Sequence, residues 1–316
     1  MRIVALVPGG IGKQLLFFPT LDSLKQAYPE AQIDVIVEPS AQKAYSICQS
    51  VHETLTFSYE DRKSLADWGN LLGLIRDREY DVAIYAGQGL GIRFALWLSG
   101  IPVRIGYGGG QGEGLLTQTI PLNSNQYAAH TYHDLLQGVG IDQPCPDLSV
   151  KVPAKSLDWA DAERQRLGIQ NSGYVLIAGG MGQGSSSQAY PLESWKGIIQ
   201  DFEHRQPDLP IVLLQGAGNS DWVKELTSAF PKLKVTAPDD IGKTIAMIAG
   251  ASLMLAVEGD AMHLAVATKT YVLALFGPTM PEKLLPKDKR FVGIKSLTGQ
   301  MADISPQMVL EKVWGG

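Results

Sequence analysis

Cysteine is nearly absent from this sequence: of its 316 residues only Cys48 and Cys145 are cysteines. They lie far apart and form no metal-ligand or redox spacing, so they read as reduced thiols of a cytosolic protein. Histidine is also scarce, with five residues. No metal-ligand cluster stands out and no metal is expected. No Ser-His-Asp or Cys-His arrangement can be argued from residue order. Long apolar runs are missing as well, since no stretch approaches the ~20 residues that span a bilayer. The opening MRIVALVPGG carries an apolar run too short for a signal peptide and reads as a first strand. A cytoplasmic protein is expected, with peripheral contact at the inner face of a membrane left open. Finally, there is no surplus of positive charge. The net charge is -5, with ten Lys/Arg against fifteen Asp/Glu through Val150 and seventeen of each after it. That balance excludes nucleic acid as a partner and argues against broad adhesion to an anionic bilayer.

What is present includes a glycine turn between an apolar run and a helix, VPGGIGKQLLFFPT from Val7 to Thr20. A phosphate-wrapping P-loop would need glycine where Val7 stands and a hydroxyl where Gln14 stands. The dinucleotide fingerprint, begun at Gly10 and continued at Gly12, meets Leu15 in place of its third glycine. Both motifs fail, and what remains is strand, tight turn and helix.

Hydrophobic residues make up 45% of the chain and charged residues 19%, ample for buried cores. The length favours two domains. Buried-strand candidates alternate with helical patterns: IVALV, IDVIV, DVAIYAG and VRIGYGG first, then YVLIAGG, IVLLQGAG, KVTA, LMLAVEG and YVLALFG. Between the two sets, IDQPCPDLSVKVPAKS has three prolines and no helical period, and is the linker candidate. The expectation is an α/β protein of two Rossmann-like domains, 1–152 and 153–316, with parallel sheets facing across a cleft. The last helix is free to pack back on the first domain. Ligands belong at the carboxyl ends of the strands.

The segment VEGDAMHLAVATKTYVLALFGPTMPEK, Val257 to Lys283, resembles the heptosyltransferases of glycosyltransferase family 9. In that family an Asp-Thr-Gly-x-x-His-Leu-Ala loop and helix precede a strand and Leu-Phe-Gly-Pro-Thr-Asp-Pro. His263, Leu264, Ala265, Leu275, Phe276, Gly277, Pro278, Thr279 and Pro281 match. The opening strand and turn, YDVAIYAGQG, RIGY at Arg104 to Tyr107 and YPLESW at Tyr190 to Trp195 extend the likeness over nearly the whole chain. The resemblance implies the glycosyltransferase-B architecture and sugar transfer from a nucleotide-diphosphate donor, an ADP-sugar, to a glycan or lipid-linked acceptor, as in lipopolysaccharide biosynthesis. It implies no cofactor and no metal. Gly9, Gly10 and Gly12 fall on the acceptor-side loop. Gly182, Ser185, Ser186, Ser187, Gln188, Asp239, Glu258, Gly259, Asp260, His263, Gly277, Pro278 and Thr279 fall on the donor side.

Several of these positions depart from the family. Its catalytic aspartate becomes Lys13, and an ordinary lysine carries its proton at neutral pH and accepts none. Its diphosphate-facing lysine becomes Gln188, and Asp-Thr-Gly becomes Glu258-Gly259-Asp260, with Asp260 placed to N-cap the next helix. Compensating charge is expected, if anywhere, from Lys283, Lys287, Lys289 and Arg290. Substitute bases are sought at His130, His133, Asp134 and Glu113. Asp239 marks either a different base-recognition pocket or a turn beside Pro238. The alternative to sugar transfer is a catalytically silent relative kept to bind a partner protein or a sugar nucleotide. A sugar-nucleotide epimerase of this architecture would need paired acid/base residues, and none is identifiable.

Overall fold

The structure, a computed structural model, describes residues 1–61, 64–179 and 189–315. The chain divides into two compact units, Met1–Leu148 and Ser149–Gly316. The first unit contains β1 (Arg2–Val7), α1 (Ile11–Ala27), β2 (Gln32–Val37), β3 (Glu53–Thr56), α2 (Leu65–Arg76), β4 (Val82–Tyr85), α3 (Leu90–Ser99), β5 (Val103–Tyr107), β6 (Gln118–Ile120) and α4 (Ala128–His133). The second contains α5 (Ala154–Leu167), β7 (Val175–Ala178), α6 (Leu192–Arg205), β8 (Ile211–Leu214), α7 (Ser220–Ala229), β9 (Lys234–Thr236), α8 (Ile241–Ala249), β10 (Leu253–Val257), α9 (Asp260–Ala267), β11 (Val272–Phe276), α10 (Pro281–Leu284), β12 (Phe291–Lys295) and α11 (Pro306–Trp314).

Among the described residues each unit holds one parallel sheet of six strands. The orders are β3-β2-β1-β4-β5-β6 and β12-β11-β10-β7-β8-β9. The two are the same doubly wound order, read from opposite edges. In each, the first strand of the unit lies between strands reached by crossovers in opposite directions. The carboxyl ends of β1 and β4, and of β7 and β10, therefore stand at the switch point where the crossovers diverge.

Central strands are apolar on both faces because helices cover both. Ile3, Val4, Ala5, Leu6 and Val7 of β1 are all fully buried, which the continuous run IVALV announces. In the second unit Trp195 of α6 is fully buried between Tyr190 and Trp222, at ring-centroid distances of 5.1 and 6.2 Å. Burial of such a side chain contributes about 3 kcal/mol at the upper end of the usual range.

Sequence periodicity does not announce every element. Edge strands β3, ETLT, and β6, QTI, are short and carry little apolar signal, and β12, FVGIK, is only half covered. The stretch GGGQGEGLLTQ, without a regular reading, forms turns, a 3-10 turn at Glu113–Leu115 and the start of β6. The closing helix α11 packs on α6 of its own unit, with the Phe202 and Trp314 rings 4.8 Å apart.

Candidate functional site

In the first unit the candidate position is the turn after β1. Gly9 has φ +109, a conformation that favours glycine, and α1 begins from Gly10, whose carbonyl accepts from the Lys13 and Gln14 amides. The exposed Lys13 side chain folds back over Gly9: a Cβ placed on Gly9 would lie 2.5 Å from Lys13 Cδ and 3.1 Å from its Nζ. The turn is held from beneath by Gln14, which is fully buried. Its Nε2 donates to the carbonyls of Val7 (3.0 Å) and Gly9 (2.8 Å), and its Oε1 accepts from the Tyr45 hydroxyl (2.8 Å). Burial holds that phenol protonated, well above its ordinary range. The residue that fails the P-loop pattern is thus the one that fixes the loop, and only its unusual burial identifies it.

The substitute bases gather elsewhere in this unit. His130, His133 and Asp134 line one cavity of ≈ 420 Å³ with Gln126, Asp142 and Cys145, and neither Lys13 nor any of the three turn glycines lines it. His133 is buried, its Nε2 2.9 Å from the Ser23 hydroxyl, and burial lowers its pKa. Asp134 accepts from Gln126 Nε2 at 2.6 Å. α4 ends at His133 and a 3-10 turn begins at Asp134, so His130 and Asp134 do not sit on one regular α-helix. Glu113 accepts the Gly109 amide at 2.9 Å, just beyond the carboxyl end of β5.

In the second unit the candidate positions lie beyond β10 and β11. Thr279 of the Gly-Pro-Thr turn donates to Glu258 Oε1 at 3.0 Å, joining the two loops. Burial raises the Glu258 pKa and the Thr279 bond opposes it. Gly277 is required by a close approach: a Cβ there would sit 3.0 Å from the Gly299 carbonyl oxygen, and Gly299 also packs against Pro278.

Asp260 does not N-cap α9, contrary to the sequence expectation. Gly259 occupies the cap, with no side-chain hydrogen bond, and Asp260 is already helical in the first turn. Its carboxylate acts there on the helix dipole, opposing any anion at the same end. His263 is 4% exposed, and burial pulls its pKa to about 4, so it is neutral at physiological pH. Among the described residues its buried Nδ1 has no hydrogen-bond partner. It therefore contributes no positive charge toward a phosphate.

Of the basic group after the turn, three side chains lie away from the loops. Lys287, Lys289 and Arg290 precede β12, whose first residues pair with the start of β11, so they lie at the amino edge of the sheet, away from the loops. Arg290 is held by Asp288 at 2.6 Å. Lys283 alone stays near the turn, on α10. Asp239 meets Lys243 Nζ at 2.6 Å, and that ammonium lies 5.5 Å from the Trp159 ring centroid. The neighbouring Asp240 caps α8, so Asp239 belongs to a charged turn. Gly182, Ser185, Ser186, Ser187 and Gln188 lie outside the described residues. Among the described residues no group of three or more His, Cys, Asp or Glu is placed to hold a metal ion.

Two doubly wound units, one opening on a glycine turn and the other on a Glu/Gly-Pro-Thr loop pair, define a glycosyltransferase-B protein. The profile of Glycosyltransferase family 9 (heptosyltransferase) matches residues 68–314, and the chain belongs to that family. It is 24% identical to the photosynthetic NDH subunit of subcomplex B 1, chloroplastic, of Arabidopsis thaliana, over 96% of this chain and 71% of that protein. It is 21% identical to lipopolysaccharide heptosyltransferase 2 of Salmonella typhimurium, over 99% and 97% respectively. The solved ADP-heptose lps heptosyltransferase II of E. coli superimposes with a TM-score of 0.80 at 19% identity, over 99% of this chain and 97% of that one.

Proposed function

We propose that the protein binds a nucleotide-diphosphate sugar of the ADP-sugar class at the loops after β10 and β11. It transfers the sugar, without a metal, to a glycan or lipid-linked acceptor at the glycine turn of the first unit. The observation that carries the donor half is the Thr279–Glu258 bond, which holds two loops together at the carboxyl end of the second sheet. A partly buried carboxylate beside a hydroxyl suits recognition of sugar hydroxyls. The family and the ADP-heptose named for the E. coli enzyme support the donor class. Among the described residues no helix is long and apolar enough to cross a membrane.

Lys13 limits this chemistry. Transfer needs the acceptor hydroxyl to lose its proton as it attacks the anomeric carbon. With a cation at that position another group must take the proton, and turnover is expected to be slow.

A second reading rests on the same lysine and on the likeness to the chloroplast NDH subunit: a donor-binding or silent member kept as part of an assembly. Calorimetric titration with ADP-sugars and other nucleotide sugars, followed by turnover assays with the binders, separates the two. Binding with turnover overturns the silent reading. No binding to any donor overturns the transferase.

A further inference from the structure

α3 carries a feature the donor chemistry does not use. Its sequence, LGIRFALWLS, is apolar on two sides. Ile92, Ala95 and Leu96 face the core, while Leu90 (47%), Phe94 (48%), Trp97 (48%) and Leu98 (36%) remain exposed. Positions 90, 94, 97 and 98 fall on one helical stripe. The one charge on the helix, Arg93, is fully buried and donates to the carbonyls of Tyr107 and Gln111. Within the stripe the Phe94 and Trp97 rings stack at 5.8 Å and 26°. A helix apolar all round is ordinarily covered all round, and this one is covered on one side.

Charge around the stripe identifies what covers it. At its carboxyl end Arg76 donates to the Leu98 carbonyl, and Arg104 to those of Ile101 and Leu115. Among the described residues neither guanidinium meets a carboxylate within ion-pair distance. Asp67 and Glu113 mark the opposite end. Asp67 lies in the first turn of α2, where Trp68 packs against Gly91 of α3. Glu113 opens the 3-10 turn preceded by Gly112, which packs against Leu90. Asp67 accepts only from Ser64, and Glu113 from the Gly109 amide, with no cation paired to either among the described residues. From Leu90 to Leu98 is about 12 Å at 1.5 Å per residue, beyond the ~10 Å screening length at 0.1 M salt, so the two ends do not neutralise each other within one molecule.

We propose that this face binds a second copy of the same chain. The two α3 helices would run antiparallel about a two-fold axis lying in the interface and perpendicular to them. That axis places α3 on α3, with Phe94 and Trp97 of both copies in the centre. It also brings Arg76 to the partner's Asp67 on the α2 side and Arg104 to the partner's Glu113 on the other. The pattern is self-complementary, as an isologous contact requires. An anionic bilayer fits less well, because the first 150 residues carry fifteen carboxylates against ten cations.

Four half-exposed side chains contribute on the order of 300 Å², given ~150–250 Å² for each large ring. A standard interface buries ~800 Å² per partner, so the flanks must contribute and the dimer is concentration-dependent.

Sedimentation equilibrium of the full chain across a concentration series is the test. A reversible monomer–dimer equilibrium is expected, with Trp97→Ser and Phe94→Glu each weakening it at least about tenfold. Both side chains are half outside, so circular dichroism and melting should match wild type. Arg76→Glu should weaken the dimer, and adding Asp67→Arg in the same chain should restore it. A wild type that stays monomeric overturns the proposal, as does a dimer untouched by all three single variants. Co-sedimentation with phosphatidylglycerol vesicles is run alongside: a monomer that pellets with them, and no longer does as Trp97→Ser, overturns the dimer in favour of a lipid occupant.

Discussion

The Thr279 hydroxyl donates to Glu258 Oε1 across 3.0 Å, although the two stand twenty-one positions apart in the chain, with all of α9 and β11 between them. The bond ties the loops after β10 and β11, the second of which carries Gly277, Pro278 and Thr279 of the family motif. It also leaves a carboxyl partly buried, with its pKa raised by lost hydration.

That shift predicts a pH-dependent cost. A carboxyl whose folded pKa lies above its unfolded value contributes full stability below the unfolded value and loses it as pH rises through the folded one. Glu258→Gln keeps an acceptor for Thr279 and removes the ionisation. Thermal melts should show the variant gaining on wild type at pH 7 relative to pH 4. A difference that instead grows on acidification would contradict this.

Lys13→Asp is expected to raise sugar transfer from the donor that wild type binds best, because it returns a proton acceptor to the turn. The exposed position should tolerate the change without altering the melting temperature. Turnover of labelled nucleotide sugar is the measurement, and unchanged turnover with intact donor binding would favour the silent reading.

Gln14→Leu leaves the Val7 and Gly9 carbonyls and the Tyr45 hydroxyl without their partner. A destabilisation of about 2–4 kcal/mol is expected, since each buried unsatisfied group costs about 1–3 kcal/mol and water recovers part of it. Urea unfolding reads this directly; a loss under half a kilocalorie on the order of surface substitutions would show that the turn does not depend on Gln14.

His263 has a folded pKa pulled down to about 4, so its contribution is complete above the ordinary histidine range and is lost as pH falls toward 4. In that window its contribution to the slope of stability approaches about 1.4 kcal/mol per pH unit. Replacing it with Met should flatten the profile between pH 6 and 4, as measured by denaturant unfolding at several pH values; an equally steep profile would assign the acid sensitivity to other groups.

Much of the fold was legible before the structure. Buried parallel strands need apolar residues on both faces, so IVALV, VLIA and VLALF stand out as unbroken runs, and α6 and α8 show their inner faces by period. Edge strands such as β12, FVGIK, are half covered and carry a weaker signal. α3 was unreadable for the opposite reason: apolar residues on both of its faces erase the periodicity that marks a helix.

The candidate site was legible only as a set of positions. Its departures, Lys13, Glu258 and Asp260, are written in the chain, because residue identity alone reverses a charge. Their consequences are not. Whether Asp260 or Gly259 caps α9 depends on where the backbone turns helical, and whether Lys287 and Lys289 can reach a donor depends on which end of the sheet they occupy. The neutrality of His263 comes from burial by α9's surroundings, and Gln14 gains its role from Tyr45, thirty-one residues away.

The sequence by itself determined the family, the alternating α/β order and the reversed charge at position 13, since these follow from local residue type and order. The tertiary structure alone decided which polar groups meet, which are stripped of water and which apolar face remains uncovered. Those outcomes depend on packing between distant segments, and burial, which sets both pKa and hydrogen-bond demand, is a property of the folded chain.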